Sequence, residues 1–235
     1  MVAVCGKLIP VNSALPAAVL WDYDGTVVDT QPVWLQVERD IMAAHGRAWS
    51  DAEAFATIGT SGRAACQAMI AAIGDPGLDV DEMDRLRSTM VAQRVAAGEL
   101  SYRPGARELL DDCLRAGLPC ALVSASPRFV LDAGLGRMPD WFAAILSGND
   151  FTRQKPDPEG YLVAAAHLGL DPAQCLVIED SVAGCQAGRA SGAAVLGIPC
   201  MTPLDPYPGQ VIRPSLSGID AADLTEIFAA AHGER

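Results

Sequence analysis

A chain of 235 residues, half of them hydrophobic and a fifth charged, has enough apolar side chains for one or two domains with a substantial core. Its formal net charge of −12 argues against nucleic acid and anionic membrane surfaces, because a phosphate backbone needs basic counter-charge. A small anionic ligand stays open, since it needs only a local pocket of donors.

Residues 1–16 read as a loose leader broken by Lys7, Pro10 and Asn12, with no signal peptide or membrane span. The seven cysteines (5, 66, 113, 120, 175, 185 and 200) form no C-x-x-C pair, and several lie in apolar runs. That is the usage of reduced, buried thiols, so the expected location is the cytoplasm. Next comes Ala17-Ala18-Val19-Leu20-Trp21, an apolar run without alternation, which predicts a strand buried on both faces of a parallel sheet. It ends in Asp22 and Asp24 and then Gly25, a residue suited to a sharp turn. Alone, this is equally an Asp/Gly turn.

From about Thr30 to Leu100 the pattern is helical, with Val33, Trp34, Val37, Ile41 and Met42 on one face. Further helices are expected near 51–57, 62–73 and 79–97, broken at Gly74-Asp75-Pro76-Gly77, and no strand is expected in this block. After Pro104-Gly105 the chain alternates: helix 104–116, strand 120–123, helix 127–134, strand 143–146, a polar loop, helix 158–168, strand 175–178, helix 182–191 and strand 193–198. A Pro-rich loop and a helix near 220–232 close it. Strands separated by helical crossovers predict an α/β fold: a doubly wound, Rossmann-like parallel sheet. Residues 1–29 and 103–235 would form that core, with 30–102 inserted as an all-α domain.

The predicted strand ends carry a consistent set of residues. Asp22 and Asp24 follow the first strand, Ser124 and Ala125 the second, and Glu179 and Asp180 the fourth; Lys155 lies in the polar loop. Of 17 basic residues only Lys7 and Lys155 are lysines, so Lys155 stands out. Ligands of open α/β sheets bind beyond the carboxyl ends of the strands. Carboxylates meeting there would share a hard cation, most simply Mg²⁺. Ser124 and Lys155 could then hold phosphoryl oxygens, and one aspartate could attack phosphorus while the other protonates the departing alkoxide. Taken singly, Ser124 is a helix cap, Lys155 a solvated charge and Asp180 a cap. Asp150 reads as a turn residue or a support for the Lys155 loop. His45, His167 and His232 match no metal spacing and read as structural.

Together, Asp22-Tyr23-Asp24-Gly25-Thr26, Ser124 after an apolar strand, Lys155-Pro156-Asp157-Pro158 and Glu179-Asp180-Ser181 resemble the four motifs of the haloacid dehalogenase superfamily, in order. The helical insert resembles that superfamily's type-1 cap. The resemblance implies Asp22 as nucleophile and metal ligand, and Asp24 as acid/base with its backbone carbonyl on Mg²⁺. It implies Ser124, Ala125, Lys155 and Thr26 around the phosphate, Asp180 as a metal ligand, and Glu179 as an outer or alternative acidic partner. In the cap, Trp34 reads as a core aromatic, and Arg63 as a surface charge or a substrate contact.

A halide leaving group needs no proton, so Asp24 points to an alkoxide and away from dehalogenation. Schiff-base phosphonate cleavage needs a cap lysine, and none lies between Thr30 and Arg103. What remains first is a Mg²⁺-dependent phosphatase for a small phosphorylated metabolite such as a sugar or polyol phosphate. It would act as a monomer or small homo-oligomer, without nucleic acid or membrane. The alternatives are a β-phosphoglucomutase-like phosphomutase, disfavoured by Trp34 where those enzymes place a histidine, and a phospho-accepting signalling domain.

Overall fold

The structure is a computed structural model that describes residues 15–58 and 60–233; most of the leader read at 1–16 lies outside them. In chain order the strand β1 (Ala18–Trp21) and a two-residue β2 (Val28–Asp29) lead into four helices. These are α1 (Gln31–Ala44), α2 (Asp51–Thr57), α3 (Gly62–Ile73) and α4 (Val80–Ala97). The chain returns through β3 (Ser101–Tyr102) to α5 (Ala106–Arg115), β4 (Cys120–Val123), α6 (Arg128–Leu135) and β5 (Phe142–Leu146). It closes with α7 (Glu159–His167), β6 (Cys175–Glu179), α8 (Val182–Ala190), β7 (Ala194–Gly197), β8 (Gln210–Ile212) and α9 (Asp223–Gly233).

Six strands pair in parallel in the order β5-β4-β1-β6-β7-β8. This is the doubly wound α/β sheet expected from the alternation. Strand β1 lies between β4 and β6, and its side chains alternate between two cores. Val19 and Trp21 pack with α5 and α9 through Leu109, Leu110 and Leu224. Ala18 and Leu20 pack with α7 and α8 through Tyr161, Ala164 and Cys185. A strand covered on both faces has no polar side to show, which is why its sequence is an unbroken apolar run. Each such side chain removed from water contributes roughly 1.5–3 kcal/mol for a Val or Leu.

The four helices after β2 have a separate core built on Val37, Ile41, Met42, Met69 and Val91, and α4 rests on α6 through Val130. Their ends follow from local chemistry. Asp79 caps α4 by accepting from the backbone N–H groups of Asp81 and Glu82, and Gly98 ends it in a left-handed conformation. Three strands escape sequence reading. β2 and β3 pair antiparallel where the chain leaves and re-enters the sheet domain, and two residues carry no period. β8 is a three-residue edge strand inside the Pro-rich loop.

Candidate active site

The carboxyl ends of β1, β4 and β6 are adjacent in the sheet, so Asp22, Ser124 and Glu179-Asp180 converge at the point where the strand order reverses. Gly25 adopts φ 94°, and a Cβ there would collide with the Asp180 carboxylate, so the turn after β1 needs glycine twice over.

Lys155 reaches into this cluster. Its Nζ donates to Asp22 Oδ1 at 2.6 Å, to Glu179 Oε1 at 2.6 Å and to the Val123 carbonyl at 3.2 Å. Burial works against the lysine's charge, but Asp22 and Glu179 outweigh it and hold the ammonium firmly protonated. Glu179 is wholly buried and saturated: Tyr161 OH also donates to Oε1, while Asp180 N, Ser181 N and Ser181 Oγ donate to Oε2. A Cβ on Gly184 would occupy the space of that carboxylate.

Asp22 differs. Its Oδ2 is buried without a hydrogen-bond partner, and burial pushes the carboxyl up to about 7 although Lys155 pulls it down. Burial, then the Asp22 charge, also raises Asp180, whose carboxylate has no hydrogen-bond partner among the described residues. Oxygens of Asp22, Glu179 and Asp180 lie within 4.8 Å of one another. Glu179 is already occupied by five donors, so Asp22 and Asp180 are left with free oxygens. An orphaned buried oxygen and two mutually repelling carboxylates fit a hard divalent cation.

Asp24 lies outside this cluster and faces three hydroxyls. Thr30 Oγ1 donates to Oδ1 at 2.7 Å; Ser124 Oγ at 2.9 Å and Ser126 Oγ at 2.8 Å donate to Oδ2. Ser124 also accepts from Ser126 N at 2.9 Å. Ala125 lines the cavity, whereas Thr26 is wholly buried with an unpaired Oγ1 and lines no part of it. Asp150 closes its own turn by accepting from Ser147 N and Oγ. The three histidines each meet the carbonyl one helical turn back.

A cavity of about 450 Å³ separates the strand ends from the helical block. Asp22, Asp24, Lys155 and Asp180 line one side; Trp34, Glu38, Arg63 and Arg87 are on the other. Trp34 is thus half core, half cavity wall. Arg63 lies at the exposed rim with its guanidinium on Asp81. Sequence reading missed Tyr161, Ser126, Glu38 and Arg87. Tyr161 left one signal, an aromatic beside the small and aliphatic residues at the centre of its helix; the pairing of Glu38 with Arg87, 49 residues away, left none.

Known proteins resemble this chain in sequence and in fold. Hexitol phosphatase B of Escherichia coli K12 is 31% identical over 222 residues, covering 90% of this chain and 94% of that protein. A bifunctional riboflavin kinase/FMN phosphatase of Arabidopsis thaliana is 30% identical over 190 residues, and the match spans only 49% of its length. Crystal structures of CbbY from Rhodobacter sphaeroides, one with phosphate and one of a mutant with xylulose-1,5-bisphosphate, superpose with a TM-score of 0.78 at 24% identity, covering 90% of this chain and 99% of theirs. The haloacid dehalogenase-like hydrolase family model matches residues 16–192, and the chain belongs to that family.

Proposed function

We propose that this phosphatase is Mg²⁺-dependent, takes a small sugar or polyol phosphate, and works through an aspartyl-phosphate on Asp22. The observation that carries the reading is the division of labour within one carboxylate. Lys155 holds Oδ1 of Asp22, and Oδ2 is buried and unpaired beside Asp180. Oδ1 of Asp22, the oxygen on the Lys155 side, attacks phosphorus while Oδ2 is left for the cation; the P–O bond to the substrate breaks, and the departing alkoxide takes the proton carried by Asp24. Asp24 then takes a proton from water, the water oxygen bonds to phosphorus, and the bond to Asp22 breaks to release phosphate. Asp22 and Asp180 would hold the Mg²⁺, which supplies positive charge against the carboxylates and phosphoryl oxygens.

The hydroxyls of Thr30, Ser124 and Ser126 hold Asp24 in place. In this reading residues 30–102 form the cap that closes over the core of 1–29 and 103–235 and keeps water from the phosphoryl group. Hexitol phosphatase B, matched over nearly its whole length, supports a polyol phosphate as substrate. Membership of a hydrolase family sets aside the signalling-domain alternative. A cytoplasmic location belongs to the same proposal: the described cysteines are free, and no helix among the described residues is long and apolar enough to cross a membrane. The test is release of inorganic phosphate from sorbitol 6-phosphate with Mg²⁺. Asp22→Asn should lower kcat by at least ~10⁴-fold while leaving the circular dichroism spectrum unchanged. Turnover within tenfold of the unaltered protein would refute the nucleophile assignment.

A further inference from the structure

The loop that delivers Lys155 runs between two fixed points. At its start Phe151 is buried. At its end Gly160 of α7 lies so close to the Phe151 ring and the Val123 side chain that a Cβ there would press on both. Between them Thr152, Arg153, Gln154 and Pro156 are exposed, so packing does not hold the outer side of the loop. Lysine adds a flexible four-carbon stem of its own. Yet the Lys155 side chain is only 12% exposed, and its ammonium meets Asp22 and Glu179 at 2.6 Å each. The backbone from which it starts needs a tether.

Glu159 supplies one. It is the first residue of α7, a helix packed on β4 and β5, and its carboxylate reaches back across the loop. Oε2 accepts from Arg153 N at 2.8 Å, and Oε1 accepts from Thr152 N at 3.2 Å. The Thr152 hydroxyl and Arg153 Nε each donate to Oε2 at 3.0 Å. The backbone donors, Arg153 before Thr152, pull the Glu159 carboxyl down to about 2, so it accepts as a carboxylate. The Arg153 guanidinium is 66% exposed and its pairing is screened by water, so the weight falls on the two backbone N–H groups. They close a ring from Thr152 to Glu159 with Lys155 inside it. Glu159 itself does not line the cavity.

We propose that Glu159 is a positioning residue for Lys155: by closing the loop from 152 to 159 it keeps the ammonium between Asp22 and Glu179 without touching the substrate. It rests on the proposed role of Asp22 as nucleophile. With the ring open, the ammonium spends part of its time in water and Asp22 loses the partner that aims Oδ1.

The test uses the scarcity of lysine, since Lys155 and Lys7 are the only two in the chain. Acetylation by acetic anhydride is followed at Lys155 by peptide mass spectrometry and normalised to Lys7 in the same sample. In Glu159→Ala the rate at Lys155 should rise by ~10-fold or more as the loop opens. With sorbitol 6-phosphate and Mg²⁺ as substrate, kcat should fall by ~10-fold or more, with a smaller change in KM, because the nucleophile is mis-aimed. The melting temperature should stay within about 4 °C, since the freed N–H groups lie at the surface and turn to water. Glu159→Gln keeps one accepting oxygen, so it should show both effects in weaker form, and it serves if Glu159→Ala does not fold. A Lys155 acetylation rate within twofold of the unaltered protein overturns the proposal, and so does a kcat within twofold of it. If Lys155 is exposed by the substitution but the unaltered protein releases no phosphate from sorbitol 6-phosphate, the tether stands and the phosphatase chemistry falls.

Discussion

The two walls of the cavity treat their buried polar atoms differently. At the strand ends, Glu179 accepts from five donors and Asp24 from three, so these carboxylates are fixed before any ligand arrives. Asp22 Oδ2 and the Asp180 carboxylate, the oxygens left for the cation, stay bare. On the helical wall Arg87 donates to Glu38 inside the protein, and Oε2 and Nε stay enclosed and unpaired. A saturated network gives one rigid geometry, which a reaction common to many substrates requires. Unsatisfied buried groups destabilise the protein by about 1–3 kcal/mol each.

If the strand-end wall is the rigid one, removing its central cation should do the greatest damage. Lys155→Met leaves Asp22 and Glu179 buried without their shared partner. It should destabilise the fold by about 3–5 kcal/mol, read by urea unfolding. It should also lower kcat/KM by ~100-fold or more, because the Asp22 carboxylate loses its orientation. Gly184→Ala comes next. Its methyl group invades the Glu179 carboxylate, and overpacking of this kind costs about 1–3 kcal/mol. Tyr161→Phe removes one of five donors to Glu179 and should cost roughly 1.5 kcal/mol, with a smaller drop in kcat.

The bare oxygen makes a separate prediction for pH. Asp22 is raised from 3.8 to about 7 by burial, so between those values the cation-free folded chain retains a proton that the unfolded chain has lost. Stability of that form should therefore fall as pH rises through this window and level off above about 7. A cation binds the deprotonated form, so the gain in melting temperature from excess Mg²⁺ over EDTA should widen from about pH 5 to about pH 8. A gain independent of pH would remove Asp22 from the metal site.

The same contrast explains what the sequence could disclose. Asp22 and Ser124 directly follow a predicted strand and Asp180 lies two residues past another, and a parallel sheet with crossovers brings strand ends together whatever the helices do in detail. Lys155 was visible because lysine is so rare here. Tyr161 and Gly184 act through Glu179, and their role depends on how α7 and α8 pack against the sheet. Glu38 and Arg87 are further still from legibility. They sit on α1 and α4, their meeting is set by helix packing, and α4 has little amphipathic pattern to orient it. Glu38 reads as one more solvated charge on a helix, since an acidic residue on a helix normally faces water. β8 fails for the opposite reason, being too short to have a pattern at all.

The smallest expected effect tests whether the helical wall is neutral. Arg63 lines the cavity, but its ion pair with Asp81 is exposed, the side chains being 58% and 75% accessible. Exposed pairs are screened by water and salt, so Arg63→Ala should change unfolding free energy by about 0.5 kcal/mol or less. Because Asp81 already holds the guanidinium, KM for sorbitol 6-phosphate should rise by no more than about threefold with kcat unchanged, a loss of weak uniform binding. A rise beyond tenfold would mean that Arg63 leaves Asp81 and grips the ligand as a free cation. The helical wall would then carry a free cation, and the contrast with the committed charges of the strand-end side would collapse.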